Sequence, residues 1–86
     1  MSYVYLIKSS TFPHQTYVGS TNNVDERLQS HNRGESTHTA KYLPWKLHMY
    51  LAFKTKEEAL IFEKYLKSHS GRAFSRKRFW TQSSTI

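Results

Sequence analysis

The sequence predicts a single α+β domain: a small antiparallel three-stranded sheet flanked by helices, in the order β-β-α-β-α with a short further helix behind it. Two segments, 3–8 and 45–53, alternate β-branched and aromatic residues in the manner of strands. Two others open with a capping pattern, Asn23 followed by Glu26 and Thr55 followed by Glu58, and read as helices. The length, 86 residues, is that of one small domain, which removes only about 60% of its unfolded surface from water.

Each element has its own warrant. In the first strand Tyr3, Tyr5 and Ile7 share one face while Val4 and Leu6 share the other, so both faces are apolar. Ser and Pro residues over 9–15 separate it from a second short strand over 16–19, and 3–20 reads as a hairpin ended by Gly19. A helix over 23–32 stops before Gly34. The polar segment 33–44 exceeds a turn and is a candidate functional loop. The third strand, 45–53, leads to a helix over 56–69 whose apolar positions Ala59, Leu60, Ile61, Phe62, Tyr65 and Leu66 form a broad stripe, with Gly71 as its C-cap. Residues 72–80 read as a third helix or an irregular arm. The domain is placed at 1–80 and a frayed tail at 81–86.

Composition excludes several classes. No apolar run approaches the ~20 residues of a membrane-spanning helix, and Lys8 interrupts the run a signal peptide would need. Without cysteine there is no disulfide, thiolate metal site or Cys nucleophile, and an intracellular protein, cytoplasmic or nucleoid-associated, is expected. Lys and Arg number 13 against 6 Asp and Glu, a net charge of +7. All six acids lie at or before Glu63, while Lys64, Lys67, Arg72, Arg76, Lys77 and Arg78 follow it. Such a concentrated positive field attracts a polyanion, although a solubilising basic surface has the same composition.

Some residues stand out chemically. Glu63 falls on the apolar side of its helix, where a carboxylate needs a cation or a hydrogen bond; it is either a site residue or a rim residue paired with Lys67 at i+4. Arg27 and His31, four apart, gain nothing from each other and face either water or an anion. Tyr5 and Tyr17 stand on the two arms of the hairpin, where tyrosine is ordinary. Trp45 is either a core anchor or, with Tyr42, a stacking platform for unpaired bases. The histidines 14, 31, 38, 48 and 69 lack zinc-motif spacing.

Together, Tyr5 on one strand, Tyr17-Val18-Gly19 on the next, Arg27 and His31 on a helix and Glu63 on a later helix closely resemble the GIY-YIG nuclease domain. The likeness covers residues 3 to about 70 and is greatest to small stand-alone members akin to the nuclease modules of excision-repair and structure-specific endonucleases. The stretches YVGSTNNVDERLQSHNRGE and PWKLHMY carry it. The resemblance implies that Tyr5 helps deprotonate the attacking water beside Tyr17, that Arg27 holds the scissile phosphate, and that His31 assists a tyrosine through a hydrogen bond. It further implies that Glu63 binds one divalent metal, Mg²⁺ or in its place Mn²⁺, and that Gly19 admits a close backbone approach. A tyrosine near its usual pKa is a poor base at neutral pH, so the neighbouring cations are expected to lower it. Tyr3 and Val4 depart from the first tag, and 64–86 contains no Asn where some relatives have one, so that role is either absent or supplied by Ser75 or a basic neighbour.

The expected activity is metal-dependent hydrolysis of DNA phosphodiesters with low sequence specificity, in repair or recombination. Lys41, Lys64, Lys67, Arg72, Arg76, Lys77 and Arg78 are the expected phosphate grip. The alternatives are an inactive nucleic-acid-binding module of the same fold and a basic domain that docks an acidic protein. A protein partner for targeting fits so short a chain.

Overall fold

The computed structural model describes residues 1–80; the expected tail over 81–86 lies outside the described residues. Strands β1 (Ser2–Ser9), β2 (Thr16–Thr21) and β3 (Trp45–Phe53) form one antiparallel sheet in the order β2-β1-β3. Helix α1 (Val24–Asn32) follows the hairpin, and α2 (Lys56–Lys67) and α3 (His69–Arg78) follow β3. A 3-10 turn at Ala40–Tyr42 lies in the long loop. The α+β class and the element order are those expected.

The central position of β1 follows from its two apolar faces. Val4 and Leu6 pack with Ala59 and Leu66 of α2, while Tyr5 and Ile7 pack on the opposite side with Trp45, Val24 and Leu28. Burying both faces of one strand between two helical layers accounts for most of the available core. Trp45 is 3% exposed, and its indole Nε1 donates to the Thr39 carbonyl at 2.9 Å, so it is a core anchor. Tyr42 packs edge-on to it at 6.5 Å and is half-buried. On β3, His48 is the extra residue where the register slips between Leu6 and Ile7. It stacks on Trp80 at 4.7 Å and donates to the Phe79 carbonyl, tying the end of α3 to the sheet.

Several expectations change in detail. Strand β2 continues past Gly19 to Thr21, whose side chain then accepts from the Asn23 backbone N–H. The N-caps hold: Asn23 Oδ1 accepts from Glu26 N at 3.0 Å and Thr55 Oγ1 from Glu58 N at 3.1 Å. The apolar stripe of α2 is narrower than expected. Ala59 and Leu66 are buried and Phe62 partly so, but Leu60, Ile61 and Tyr65 are exposed at 44%, 71% and 40%.

The helix expected over 56–69 breaks at Ser68, because that residue serves two helices at once. Its backbone is extended (φ −78°, ψ 168°), its hydroxyl donates to the Tyr65 carbonyl at 2.6 Å, and the same hydroxyl accepts from Gly71 N at 3.1 Å. Gly71 therefore sits in the first turn of α3 and caps nothing. A Cβ there would lie 1.8 Å from the Tyr65 carbonyl oxygen, a backbone atom that cannot move aside cheaply. Gly71→Ala is accordingly expected to destabilise the domain by about 3 kcal/mol or more, since overpacking against backbone forces the two helices apart. Urea denaturation checks this; an unchanged midpoint would show that the α2–α3 junction opens freely.

Candidate active site

The hairpin register brings two tyrosines to one face. Tyr5 pairs with Gly19 and Ile7 with Tyr17, so Tyr5 and Tyr17 both project toward α1, with ring centroids 6.4 Å apart. Gly19 leaves the space in which the Tyr5 ring lies: a Cβ on it would fall 2.5 Å from Tyr5 Oη. Helix α1 crosses this face with Arg27 and His31 one turn apart, both directed at the same phenol. Tyr5 Oη lies 2.8 Å from His31 Nε2, and Arg27 Nε donates to Tyr5 Oη at 3.3 Å. The Tyr17 ring packs edge-on to His31 at 5.1 Å. His31 is fully buried and Arg27 half-buried, so this face of α1 is not a solvated one.

Glu63 reaches the site around an open edge. Helix α2 packs on the Val4 and Leu6 face, opposite to Tyr17, and among the described residues β2 is an edge strand of the sheet. Lys67, one turn beyond Glu63, places its Nζ 5.5 Å from the Tyr17 ring centre and 2.8 Å from Glu63 Oε2. Both sequence readings of Glu63 thus meet in one place, since it pairs with Lys67 and does so at the tyrosines. Lys67, taken from sequence as part of a general phosphate grip, holds the candidate metal carboxylate.

Burial governs the titration of the centre. The Tyr5 phenol is shifted upward from the ordinary tyrosine value, because loss of solvent outweighs the hydrogen bond and charge of Arg27, and the Tyr17 and Glu63 charges add to the rise. The expectation that cations lower this pKa is therefore corrected for the free protein. His31 is pushed down to about 4 by burial first and by Arg27 second, and is neutral at physiological pH.

Two of the other basic residues line a groove. Arg72 and Arg76, on one face of α3, join Lys8, His14, Thr16, Pro13, Ser75 and Trp80 around a groove of about 430 Å³ that no acidic side chain lines. Lys41, Lys64, Lys77 and Arg78 are exposed. Ser75 is buried and donates to the Arg72 carbonyl at 3.1 Å, so its hydroxyl serves α3 and not the tyrosine centre. Among the described residues no cluster of three His, Cys, Asp or Glu side chains could hold a metal, and no helix is long and apolar enough to cross a membrane. Sequence reasoning missed Thr39, which is 1% exposed with Oγ1 2.8 Å from His31 Nδ1; only the length of the 33–44 loop pointed toward it.

Comparison with known proteins shows the family. The sequence model of the GIY-YIG catalytic domain matches residues 1–78. The chain belongs to the GIY-YIG family. It is 46% identical over 55 residues to a UPF0213 protein of Bacillus licheniformis, covering 63% of this chain and 57% of that one. It is 38% identical over 65 residues to a structure-specific endonuclease subunit SLX1 homolog of Giardia intestinalis, covering 71% of this chain and 18% of that one. The chain thus spans little more than half of the first relative and under a fifth of the second. The solution structure of the UPF0213 protein BH0048 from Bacillus halodurans is similar over the full length of both chains, with a TM-score of 0.52 and 28% identity.

The depressed His31 pKa has a consequence for stability. Between about 6.5 and 4 the unfolded chain takes up a proton at His31 and the folded one does not, so stability is lost as pH falls through that window. The contribution at stake is about 3 kcal/mol. The difference in urea stability between pH 7 and pH 4.5 should be smaller by that order in His31→Gln than in the wild type; equal differences would show that His31 titrates normally.

Proposed function

We propose that this GIY-YIG domain is a metal-dependent endonuclease that hydrolyses DNA phosphodiester bonds with little intrinsic sequence specificity. The observation that carries the reading is a single buried phenol, Tyr5, held at once by the Arg27 guanidinium and the His31 imidazole. That trio provides a proton acceptor, a proton relay and a cation at one point. These are what in-line attack of water on a phosphodiester requires, together with neutralisation of the leaving oxygen.

The raised Tyr5 pKa decides how the base works. A free phenolate is scarce at neutral pH, so Tyr5 Oη takes a proton from water as its own passes to His31 Nε2. The hydroxide forms its bond to phosphorus while the bond to the departing oxygen breaks. Arg27, half-buried beside the phenol, is placed to hold a phosphoryl oxygen.

A lone carboxylate suits Mg²⁺ or Mn²⁺, which keep most of their ligands as water, better than zinc, whose sites want several protein ligands. Glu63 fits such an ion: its carboxylate is largely but not wholly buried beside the tyrosines, and Lys67, the cation on its Oε2, is a flexible surface side chain that can withdraw. Bound there, the ion would act as a Lewis acid on the phosphoryl and leaving oxygens.

The groove lined by Lys8, His14, Arg72 and Arg76 is the proposed track for DNA backbone beyond the scissile bond. Thr16 lines the groove and Tyr17 the tyrosine centre, so one edge strand borders both. The name of the Giardia relative, a subunit of a structure-specific endonuclease, directs attention to branched DNA as the target and to a protein partner that supplies targeting.

Cleavage of supercoiled plasmid, a labelled single strand and a branched junction, each with Mg²⁺ or EDTA, tests the activity. Products are expected only with metal and fall by roughly 10²- to 10³-fold in Glu63→Ala. DNA binding without products on any substrate would favour the inactive binding module. For the track, Arg72→Glu with Arg76→Glu should weaken DNA binding and flatten the dependence of log K on log salt by about two contacts' worth, measured by fluorescence anisotropy across a salt series. An unchanged slope would remove the groove from the interface.

A further inference from the structure

The geometry points to Thr39 as a positioning residue that accepts the Nδ1–H of His31 and so supports the tautomer in which Nε2 presents its lone pair to the Tyr5 hydroxyl. The inference follows from counting donors and acceptors along one buried chain of groups. Arg27 is a donor only, and its Nε–H occupies the Tyr5 oxygen as an acceptor. The phenol is 2% exposed and must still place its own proton. Among the described residues the acceptor within reach is His31 Nε2, at 2.8 Å. Nε2 is therefore unprotonated, and in the neutral imidazole the ring proton resides on Nδ1.

At Nδ1 the ring meets Thr39 Oγ1, also at 2.8 Å. For Oγ1 to accept there, its own proton must point elsewhere, and the Ser36 carbonyl lies on that side at 3.5 Å, a long contact but a pure acceptor. The reverse assignment fails on the same count. If Thr39 donated to Nδ1, Nε2 would carry a proton toward Tyr5, and a phenol already accepting from Arg27 would be left without a protein acceptor. One direction satisfies every group: Arg27 to Tyr5 to His31 to Thr39 to Ser36.

Thr39 is well held for this task. It is 1% exposed, its carbonyl accepts from Trp45 Nε1 at 2.9 Å, and Trp45 is clamped in turn by Asn32, whose side chain donates to the Trp45 carbonyl and accepts from its N–H. The anchored tryptophan thus fixes a loop hydroxyl against the far nitrogen of the histidine. The catalytic consequence rests on the proposed nuclease reading. When Tyr5 takes the proton of water and passes its own to Nε2, the resulting imidazolium keeps both N–H groups in hydrogen bonds, to Tyr5 Oη and Thr39 Oγ1.

The tautomer can be read without any substrate. Long-range ¹H–¹⁵N correlation spectra of the labelled full chain at neutral pH should show His31 protonated at Nδ1 and bare at Nε2. Thr39→Ser should keep that pattern, and Thr39→Val should shift population toward the Nε2–H tautomer. Dominant Nε2–H in the wild type would overturn the proposal on its own, whether or not Thr39→Val folds. A folded Thr39→Val with the wild-type pattern would also overturn it. In cleavage assays Thr39→Val should lose roughly 10- to 100-fold, as changes to the residues behind a functional histidine commonly do, with Thr39→Ser close to wild type. An inactive wild type with the Nδ1–H pattern would refute the nuclease reading and leave the assignment of Thr39 standing.

Discussion

A phenol hydroxyl removed from water must be given both a donor and an acceptor, and in this domain the hydroxyl of Tyr5 sits on the central strand between two packed layers. Much of the α1 side of the molecule is arranged around that requirement. Helix α1 supplies the partners from consecutive turns, Gly19 leaves the space the ring occupies, and the loop before β3 returns to support the imidazole. A leucine at position 5 would pack as well against Ile7 and Trp45 and would leave a buried His31 nitrogen and an arginine without their partner. The polar chain is thus better understood as a functional constraint that the fold accommodates than as a source of its stability.

The charge distribution has a matching logic. At the centre, burial suppresses the charged forms of Tyr5 and His31. Arg27 lies at the border, half-buried, with one nitrogen on the phenol and another on Ser30. Lys67 and Glu63 occupy the open edge of β2 as a neutral pair. Such a pair contributes little to stability where it is exposed, and it holds the carboxylate in a defined place.

The sequence made the sheet legible because period-two alternation in 3–8 and 45–53 leaves few other choices, and the N-caps of α1 and α2 because Asn23 and Thr55 each meet a Glu three residues on. The cluster of Tyr5, Tyr17, Arg27, His31 and Glu63 was visible through its ordered resemblance to a family, whereas spacing alone placed Arg27 and His31 equally well in water. The α2–α3 junction escaped notice because Gly71 looks like a helix stop, and only the geometry shows Ser68 ending one helix and starting the next. The direction of the Tyr5 shift was read wrongly for a similar reason. Sequence displays the neighbouring charges but not the burial that outweighs them.

Thr39 and the α3 groove were illegible for a deeper reason, since each depends on how the chain folds back on itself. Thr39 lies in a polar loop of ordinary composition and gains meaning only when Trp45, six residues on, fixes its carbonyl and His31, eight residues back, meets its hydroxyl. Arg72 and Arg76 looked like two members of a uniform basic tail until Lys8 and His14 from the hairpin were found facing them. In both cases the hairpin and its central strand create the neighbourhood. Because β1 is shared by both sheet faces, its odd-numbered residues organise the tyrosine centre while Lys8, on the even-numbered side, contributes to the groove. A single strand therefore couples the place where a phosphodiester would react to the place where the same backbone would be held.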